Sequence, residues 1–169
     1  MNALVVHESM FGNTEQIAFA IADGLGGDTE VISVGRLTAD HLAAVDLLVV
    51  GGPTHAWSMS RPQTRSGARE QGAPASIEFG VRERVPALGR RSIFAAAFDT
   101  RINKPRFMTG AASKAIGRML RRHAYRLIIR PESFLVEGTK GPLSPGEIER
   151  ARAWGQTLRA RVEASDAAA

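Results

Sequence analysis

The chain has 169 residues, of which 44% are hydrophobic and 23% charged, and its formal net charge is +5. These values are typical of a single soluble globular domain and argue against extensive disorder. Because the chain contains no cysteine, disulfides, thiolate-bound metals and cysteine nucleophiles are excluded.

The first half of the sequence alternates between strand and helix signals. Apolar runs predict strands at 3–7, 31–34 and 47–50. Asn13 is predicted to cap a helix that ends at 24–27, and a short helix is expected at 38–44. Residues 58–79 are rich in Ser, Gly, Pro, Gln and Arg, so they predict a long loop, either functional or mobile.

The second half continues the alternation, with a helix at 80–88 and a buried strand at 93–98. A helical face at 116–123 follows, then a fifth strand at 127–129 that residues 133–136 extend. Ser144-Pro145-Gly146-Glu147 predicts the start of the last helix, with a hydroxyl cap, a proline and a capping-box glutamate. The predicted inner face of that helix comprises Ile148, Ala151, Gly155, Leu158 and Val162.

Five strands alternating with five helices predict a single-domain α/β protein with a doubly wound, five-stranded parallel sheet. The domain is expected to span 1–163, with a frayed tail at 164–169. No apolar run approaches the roughly 20 residues of a membrane helix, and no basic segment precedes the first apolar run. We therefore expect a cytoplasmic protein without a membrane span.

Positive charge is concentrated in the middle of the chain. Residues 61–130 carry 16 basic and 4 acidic side chains, whereas residues 1–60 carry 1 basic and 7 acidic ones. We interpret this as a solvated arginine-rich surface, with an anionic partner as the alternative. One cluster is expected on an exposed helix face and strand edge, or at a docking site for an acidic redox partner: Arg118, Arg121, Arg122, Arg126 and Arg130. Nucleic acid is disfavoured because the segment lacks interleaved aromatics and a known binding motif.

Ligands of such sheets bind beyond the carboxyl ends of the strands, and three of these ends carry unusual residues: 8–14, 51–62 and 99–109. The first segment precedes a helix, whose unpaired N–H groups and dipole favour an anion. Triphosphate P-loop, dinucleotide and hydrolase-elbow motifs are absent. The four histidines lack metal-ligand spacing, so no metal site is predicted. His7 is interpreted as a histidine in or near the core.

The first two segments resemble the cofactor loops of the flavodoxin family, which binds flavin mononucleotide (FMN). Ser9-Met10-Phe11-Gly12-Asn13-Thr14 resembles the phosphate loop, and residues 51–57 resemble the second flavin loop. Asp99 falls in the loop after the fourth predicted strand. The resemblance covers about residues 3–163 and implies a flavodoxin-like fold with strand order 2-1-3-4-5.

The resemblance also implies which residues bind FMN. Thr54 and His55 would face the ribityl chain and the dimethylbenzene side, and Trp57 would stack on the isoalloxazine ring. Asp99 and Thr100 would bond the pyrimidine edge, with Arg101 near it. A surface tryptophan is the alternative for Trp57; for Arg101 the alternatives are a surface cation or a salt bridge to Asp99. The full implied set is Ser9, Met10, Phe11, Gly12, Asn13, Thr14, Pro53, Thr54, His55, Ala56, Trp57, Asp99, Thr100 and Arg101.

Several residues depart from the family pattern. Met10 and Phe11 stand where hydroxyls are common, and an aromatic before the glycine is more similar to the quinone-reductase and protoporphyrinogen-oxidase branches. The third segment lacks a second aromatic, Phe107 being the nearest. Cations near the flavin loops predict a potential above that of strongly reducing flavodoxins: Arg61, Arg65, Arg101, Lys104 and Arg106.

The resemblance implies an FMN-binding redox protein that carries electrons between protein partners. One alternative is an FMN-dependent NAD(P)H/quinone-type oxidoreductase acting on a small electron acceptor, which Phe11 favours. Another is a flavodoxin-fold protein that has lost its flavin. Since the flavin performs the chemistry, no catalytic side chain is predicted.

Overall fold

The structure is a computed structural model that describes residues 1–55, 58–73 and 79–167. Its centre is a parallel sheet in the order β2-β1-β3-β4-β5, with β6 also paired to β4. The strands are β1 (Ala3–His7), β2 (Glu30–Ser33), β3 (Leu47–Pro53), β4 (Phe94–Ile102), β5 (Arg126–Leu127) and β6 (Glu132–Val136). The predicted order 2-1-3-4-5 is confirmed.

The strand at one edge of the sheet is divided in two. β5 pairs with β4 at Phe94 and Ala95, and β6 pairs with it from Phe98 onward. Residues 128–131 separate the two strands and include Pro131, which has no N–H to donate. The second piece brings the end of β6 level with the end of β4.

Six helices are found among the described residues: α1 (Asn13–Leu25), α2 (Pro62–Glu70), α3 (Val81–Ala87), α4 (Arg106–Thr109), α5 (Ala112–Arg122) and α6 (Glu147–Asp166). The helix expected at 38–44 is instead a single 3₁₀ turn at Asp40–Leu42, and another 3₁₀ turn follows β2 at Val34–Arg36. The loop prediction for 58–79 is wrong where α2 lies. None of the described helices is both long and apolar enough to cross a membrane.

Helices cover both faces of the sheet, which explains the uninterrupted apolar strands. Val6 and Val50 point to the face covered by α3 and α5. Val5 and Val49 point to the face covered by α1 and α6. Phe98, Phe134 and Trp154 form an edge-to-face cluster on that second face, with ring centroids 6.0–6.4 Å apart.

The cap predicted at Asn13 is wrong. Gly12, with φ of 85°, occupies the cap position, and Asn13 is the first residue of α1. The Asn13 amide instead donates to Lys140 O at 3.1 Å. The side chain that was expected to satisfy its own helix therefore ties that helix to the loop after β6.

The capping box predicted for the last helix is also wrong. α6 begins at Glu147 after Gly146, and the Ser144 hydroxyl donates to the Glu137 carboxylate. Glu147 Oε2 accepts from Leu135 N at 2.7 Å. These side chains attach α6 to β6, and the predicted inner face of α6 is confirmed at Ala151, Leu158 and Val162, which are buried.

Candidate functional site

The three segments singled out from the sequence meet at the carboxyl edge of the sheet around a pocket of about 70 Å³. Predicted residues that line it are Ser9, Met10, Phe11, Asn13, Thr14, Pro53, Thr54, His55, Thr100 and Arg101. Ile102, Val136 and Thr139 also line it and were not predicted. The predicted strand at 133–136 could have indicated Val136 at its end and Thr139 just after it, because the carboxyl end of a parallel strand reaches this edge of the sheet.

The first loop turns into α1 at Gly12. Its φ of 85° is a left-handed conformation that costs other residues about 1–2 kcal/mol. Gly12 N donates to Ser9 Oγ at 3.1 Å, and the first helical bond runs from Gln16 N to Gly12 O. The N–H groups of residues 13–15 therefore precede the helical bonding pattern and, with the helix dipole, make this end of α1 suited to an anion.

A hydrogen bond links the first loop to β4. Thr14 Oγ1 and Thr100 Oγ1 are 2.8 Å apart, and both residues are buried. Thr100 lies within β4, which runs to Ile102. The assignment of residues 99–101 to a loop is therefore wrong, because pairing with β6 prolongs the strand beyond its apolar part.

Asp99 lies beneath the pocket. It is fully buried and accepts hydrogen bonds from Thr54 Oγ1 at 3.0 Å and Ser113 N at 2.8 Å. Thr54 Oγ1 in turn accepts from Ala112 N at 2.9 Å. Burial raises the pKa of the Asp99 carboxyl, and these hydrogen bonds oppose that rise. Asp99 thus positions the second loop and the start of α5, whereas the resemblance placed it against the ligand.

His55 presents an unpartnered nitrogen at the pocket. Its backbone N–H donates to Ser58 O at 2.8 Å, and Ser58 N donates to His55 O at 3.0 Å. Nε2 is buried and has no hydrogen-bond partner among the described residues. Burial lowers the pKa of His55, so the ring is neutral near pH 7. The predicted Ala56 and Trp57 lie outside the described residues.

Arg101 lines the pocket, and its side chain also holds the segment that follows β4 by hydrogen bonds. Its Nη1 donates to Lys104 O at 2.7 Å and to Thr109 Oγ1 at 3.3 Å. It does not form the alternative salt bridge to Asp99. Its guanidinium lies at the pocket wall.

Behind the first loop lies a buried charged network that sequence reasoning missed. Glu8 accepts from the Ser60 hydroxyl and, at 2.8 Å, from Val81 N. Arg65, only 2% exposed, donates to Ser60 Oγ at 2.9 Å and to Glu83 Oε1 at 3.1 Å. The expectation that Arg65 presents its charge to a cofactor is wrong, since the network holds its guanidinium inside the protein.

This network attaches α2 to the sheet, and α2 in turn supports the first loop. Met10 packs against Ala68 and Ala73, with Phe11 at the margin of the cluster. Met10 and Phe11, which replace the usual hydroxyls, are therefore partly explained by packing. No pattern in the polar sequence of 58–73 distinguishes the buried Arg65 from its exposed neighbours.

The comparisons show the fold. A flavodoxin from the domain Archaea matches with a TM-score of 0.70 and 21% identity over 96% of this chain and 99% of that one. The flavodoxin, WrbA-like protein from Agrobacterium tumefaciens gives 0.64 and 18% over 96% and 97%. Oxidised flavodoxin 1 from Bacillus cereus gives 0.66 and 17% over 96% and 97%. No protein-family model and no curated protein matches the sequence.

The chain therefore has the flavodoxin-like fold over nearly its whole length. The resemblance inferred from the two loops is confirmed at the level of the fold.

Proposed function

We propose that this chain binds FMN at the pocket between the first loop, the second loop and the end of β4, and that it acts as a redox protein. The observation that carries the proposal is the meeting, in one pocket, of an anion-binding helix end with a His55 nitrogen that has no partner in the described part of the chain. When bound, FMN supplies reversible electron uptake, and the protein supplies binding and tuning.

The residues present fit the polar part of this cofactor. The open N–H groups at the start of α1 and the Ser9 hydroxyl suit a phosphate. Thr54, His55 and Thr100 offer polar groups to a polyhydroxyl chain, and His55 Nε2 lacks any other partner among the described residues. A pocket of about 70 Å³ has room for about five water-sized groups. We therefore assign the phosphate to the pocket, the chain to the polar groups of Thr54 and His55 beside it, and the ring to the second loop at its mouth.

Electron transfer between protein partners is the role we favour, as in the flavodoxins that the loops resemble. The alternative of an NAD(P)H/quinone-type oxidoreductase is favoured by Phe11, which lines the pocket beside the anion-binding turn. Steady-state assays of the FMN-loaded protein separate the two. Turnover of NAD(P)H with a quinone supports the oxidoreductase; reduction only by a partner reductase supports the carrier.

The cations at the pocket bear on the potential. Arg101 of β4 lines the pocket and Lys104 follows just after the end of that strand, whereas Arg65 is withdrawn into the buried network. Positive charge near a reduced flavin stabilises it, because that form is anionic. We expect Arg101→Gln to lower the reduction potential of the bound flavin. Redox titration measures this change, and an unchanged potential would contradict the placement of Arg101 near the flavin.

The test is an absorbance spectrum of the purified protein, followed by FMN titration with fluorescence detection. Gly12→Ala is the informative variant and Gly27→Ala its matched control, because both glycines have positive φ and space for a methyl group. Each substitution costs about 1–2 kcal/mol of stability. Only Gly12→Ala is expected to weaken FMN binding.

Equal FMN affinity in the two variants would remove the first loop from the site. No flavin bands and no binding by the wild-type protein would refute the proposal and favour the flavin-free alternative.

A further inference from the structure

A second and larger cavity, of about 890 Å³, lies on the other side of the first loop. The pocket described above adjoins β3 and β4, whereas this cavity adjoins β2, whose last residue, Ser33, lines it together with residues 34–36. Since β1 lies between β2 and β3, the two spaces flank the β1 loop and share Ser9, Met10 and Phe11 as a common wall. The volume is in the range of small-molecule sites, about 300–1,000 Å³.

The wall combines aromatic surface with positive charge. Phe11 and Phe79 line the cavity, and Phe79 is 47% exposed. Arg36 and Lys140 also line it, are exposed, and form no salt bridge with any described residue. Lys140 Nζ lies 5.7 Å from the centre of the Phe11 ring. Two cations with adjacent aromatic rings suit a flat ligand that carries a negative group.

Two carboxylates also line the cavity, and that of Glu8 is held by hydrogen bonds. Glu8 is 3% exposed and accepts hydrogen bonds from Ser60 and from Val81 N. Glu15 Oε1 lies 3.8 Å from His7 Nε2. Neither carboxylate is paired with Arg36 or Lys140 in the described part of the chain, so both cations remain available to a ligand.

A buried histidine also faces this space. His7 lines the cavity and is only 5% exposed, and its Nδ1 has no partner among the described residues. Burial lowers the pKa of His7, which the nearby Glu15 opposes. With Nδ1 buried and lacking an acceptor, the proton of the neutral ring belongs on Nε2, toward Glu15. His7 therefore contributes a neutral, buried ring to the base of the cavity.

We propose that this cavity binds a small aromatic carboxylate, whose ring lies against Phe11 and Phe79 and whose carboxylate pairs with Arg36 and Lys140. The site is separate from the FMN pocket and does not depend on FMN binding. The cavity and the FMN pocket share the first loop as a wall, so the two ligands contact opposite sides of residues 9–11.

The probe is 2-naphthoate, titrated into the full-length ¹⁵N-labelled chain and followed by amide chemical shifts. Three glycines sample separate parts of the wall: Gly12, Gly35 and Gly72. All three amides are expected to shift along one saturating curve. 2-Naphthamide, which has a similar shape and no charge, is expected to bind about tenfold more weakly, given two partly exposed charge pairs.

The double variant Arg36→Gln/Lys140→Gln is expected to lower the affinity for 2-naphthoate about tenfold as well. Arg121→Gln/Arg130→Gln is the matched control, because both arginines are exposed and border a groove elsewhere on the molecule. This control is expected to leave the affinity unchanged. All four positions are exposed, so the fold tolerates the changes.

Shifts absent from the three glycines, equal binding of the amide, or equal effects of the two double variants would each overturn the proposal. The titration is repeated with excess FMN present. Loss of the naphthoate shifts would place the probe in the FMN pocket and also overturn it, whereas retained shifts support a separate site. A chain that fails to bind FMN leaves the naphthoate result standing, so the two proposals fail independently.

Discussion

Arg65→Met is expected to destabilise the protein by about 3–5 kcal/mol, the usual cost of removing one member of a buried charged network. Arg65 is 2% exposed and donates to Ser60 Oγ at 2.9 Å and Glu83 Oε1 at 3.1 Å. Without it, the Glu8 carboxylate stays buried with hydrogen bonds from Ser60 and Val81 N, and Ser60 loses the guanidinium that donates to its hydroxyl. Methionine fills most of the space, so the loss is mainly electrostatic.

Urea unfolding followed by circular dichroism measures this loss. The control is Arg152→Met, which removes an exposed ion pair in which Arg152 Nη2 lies 3.6 Å from Asp23 Oδ2. Exposed pairs contribute about 0–1 kcal/mol, so the two methionine variants should differ by at least about 2 kcal/mol. Arg65→Lys, which keeps a charge, should fall between them. A loss for Arg65→Met as small as that of the control would refute the reasoning about this network.

Three further predictions concern stability. Burial raises the pKa of Asp99 above its ordinary 3.8. The stability that the protonated carboxyl contributes is therefore lost as pH rises through the folded-state pKa. Asp99→Asn should accordingly gain stability relative to wild type between pH 4 and 7. Burial lowers the pKa of His7 below 6.5, so the wild type should lose stability relative to His7→Gln as pH falls from 6.5 to 5. Urea titrations at each pH check both, and a constant difference would contradict them. Gly155→Ala should destabilise the protein, because its Cβ would lie 2.3 Å from Ile21 O. The Cβ of Gly67→Ala meets nothing within 4 Å, so this helix substitution should stabilise the protein by about 0.5–1 kcal/mol. Thermal melts that rank the two variants alike would contradict this prediction.

The parts of the fold that were predictable are those governed by local apolar pattern. The run at 47–50 predicts a central strand because both of its faces are covered by helices, and β3 is indeed buried through Gly52. β4 continues past its apolar part to Ile102 because β6 pairs with it there. That pairing is a long-range event, and the polar Asp99 and Thr100 give no local sign of it.

Cap predictions failed for a related reason. Asn13 and Ser144 are both residue types that favour helix starts, yet each bonds a distant or neighbouring loop while Gly12 and Gly146 occupy the cap positions. Local propensity identified where the helices begin to within about two residues. It did not identify which partner each side chain would choose in the folded chain.

Most residues of the candidate site were predictable as a group, because the carboxyl ends of adjacent parallel strands meet at one edge. Their individual placement was not. Asp99 faces inward beneath Thr54, and Arg65 is buried although it lies in a polar segment. Burial of a single polar side chain depends on the partners that the fold brings to it, such as Glu83 and Ser60.

The affinity ratio of FMN to riboflavin tests the central claim most directly, because the two differ only in the phosphate assigned to the start of α1. Fluorescence titrations of the same apoprotein with each compound give the ratio. Charge-assisted hydrogen bonds from N–H groups contribute about 1.5–3 kcal/mol each, so FMN should bind at least about tenfold more tightly than riboflavin. Equal affinities, or binding of neither compound, would contradict the account of this pocket.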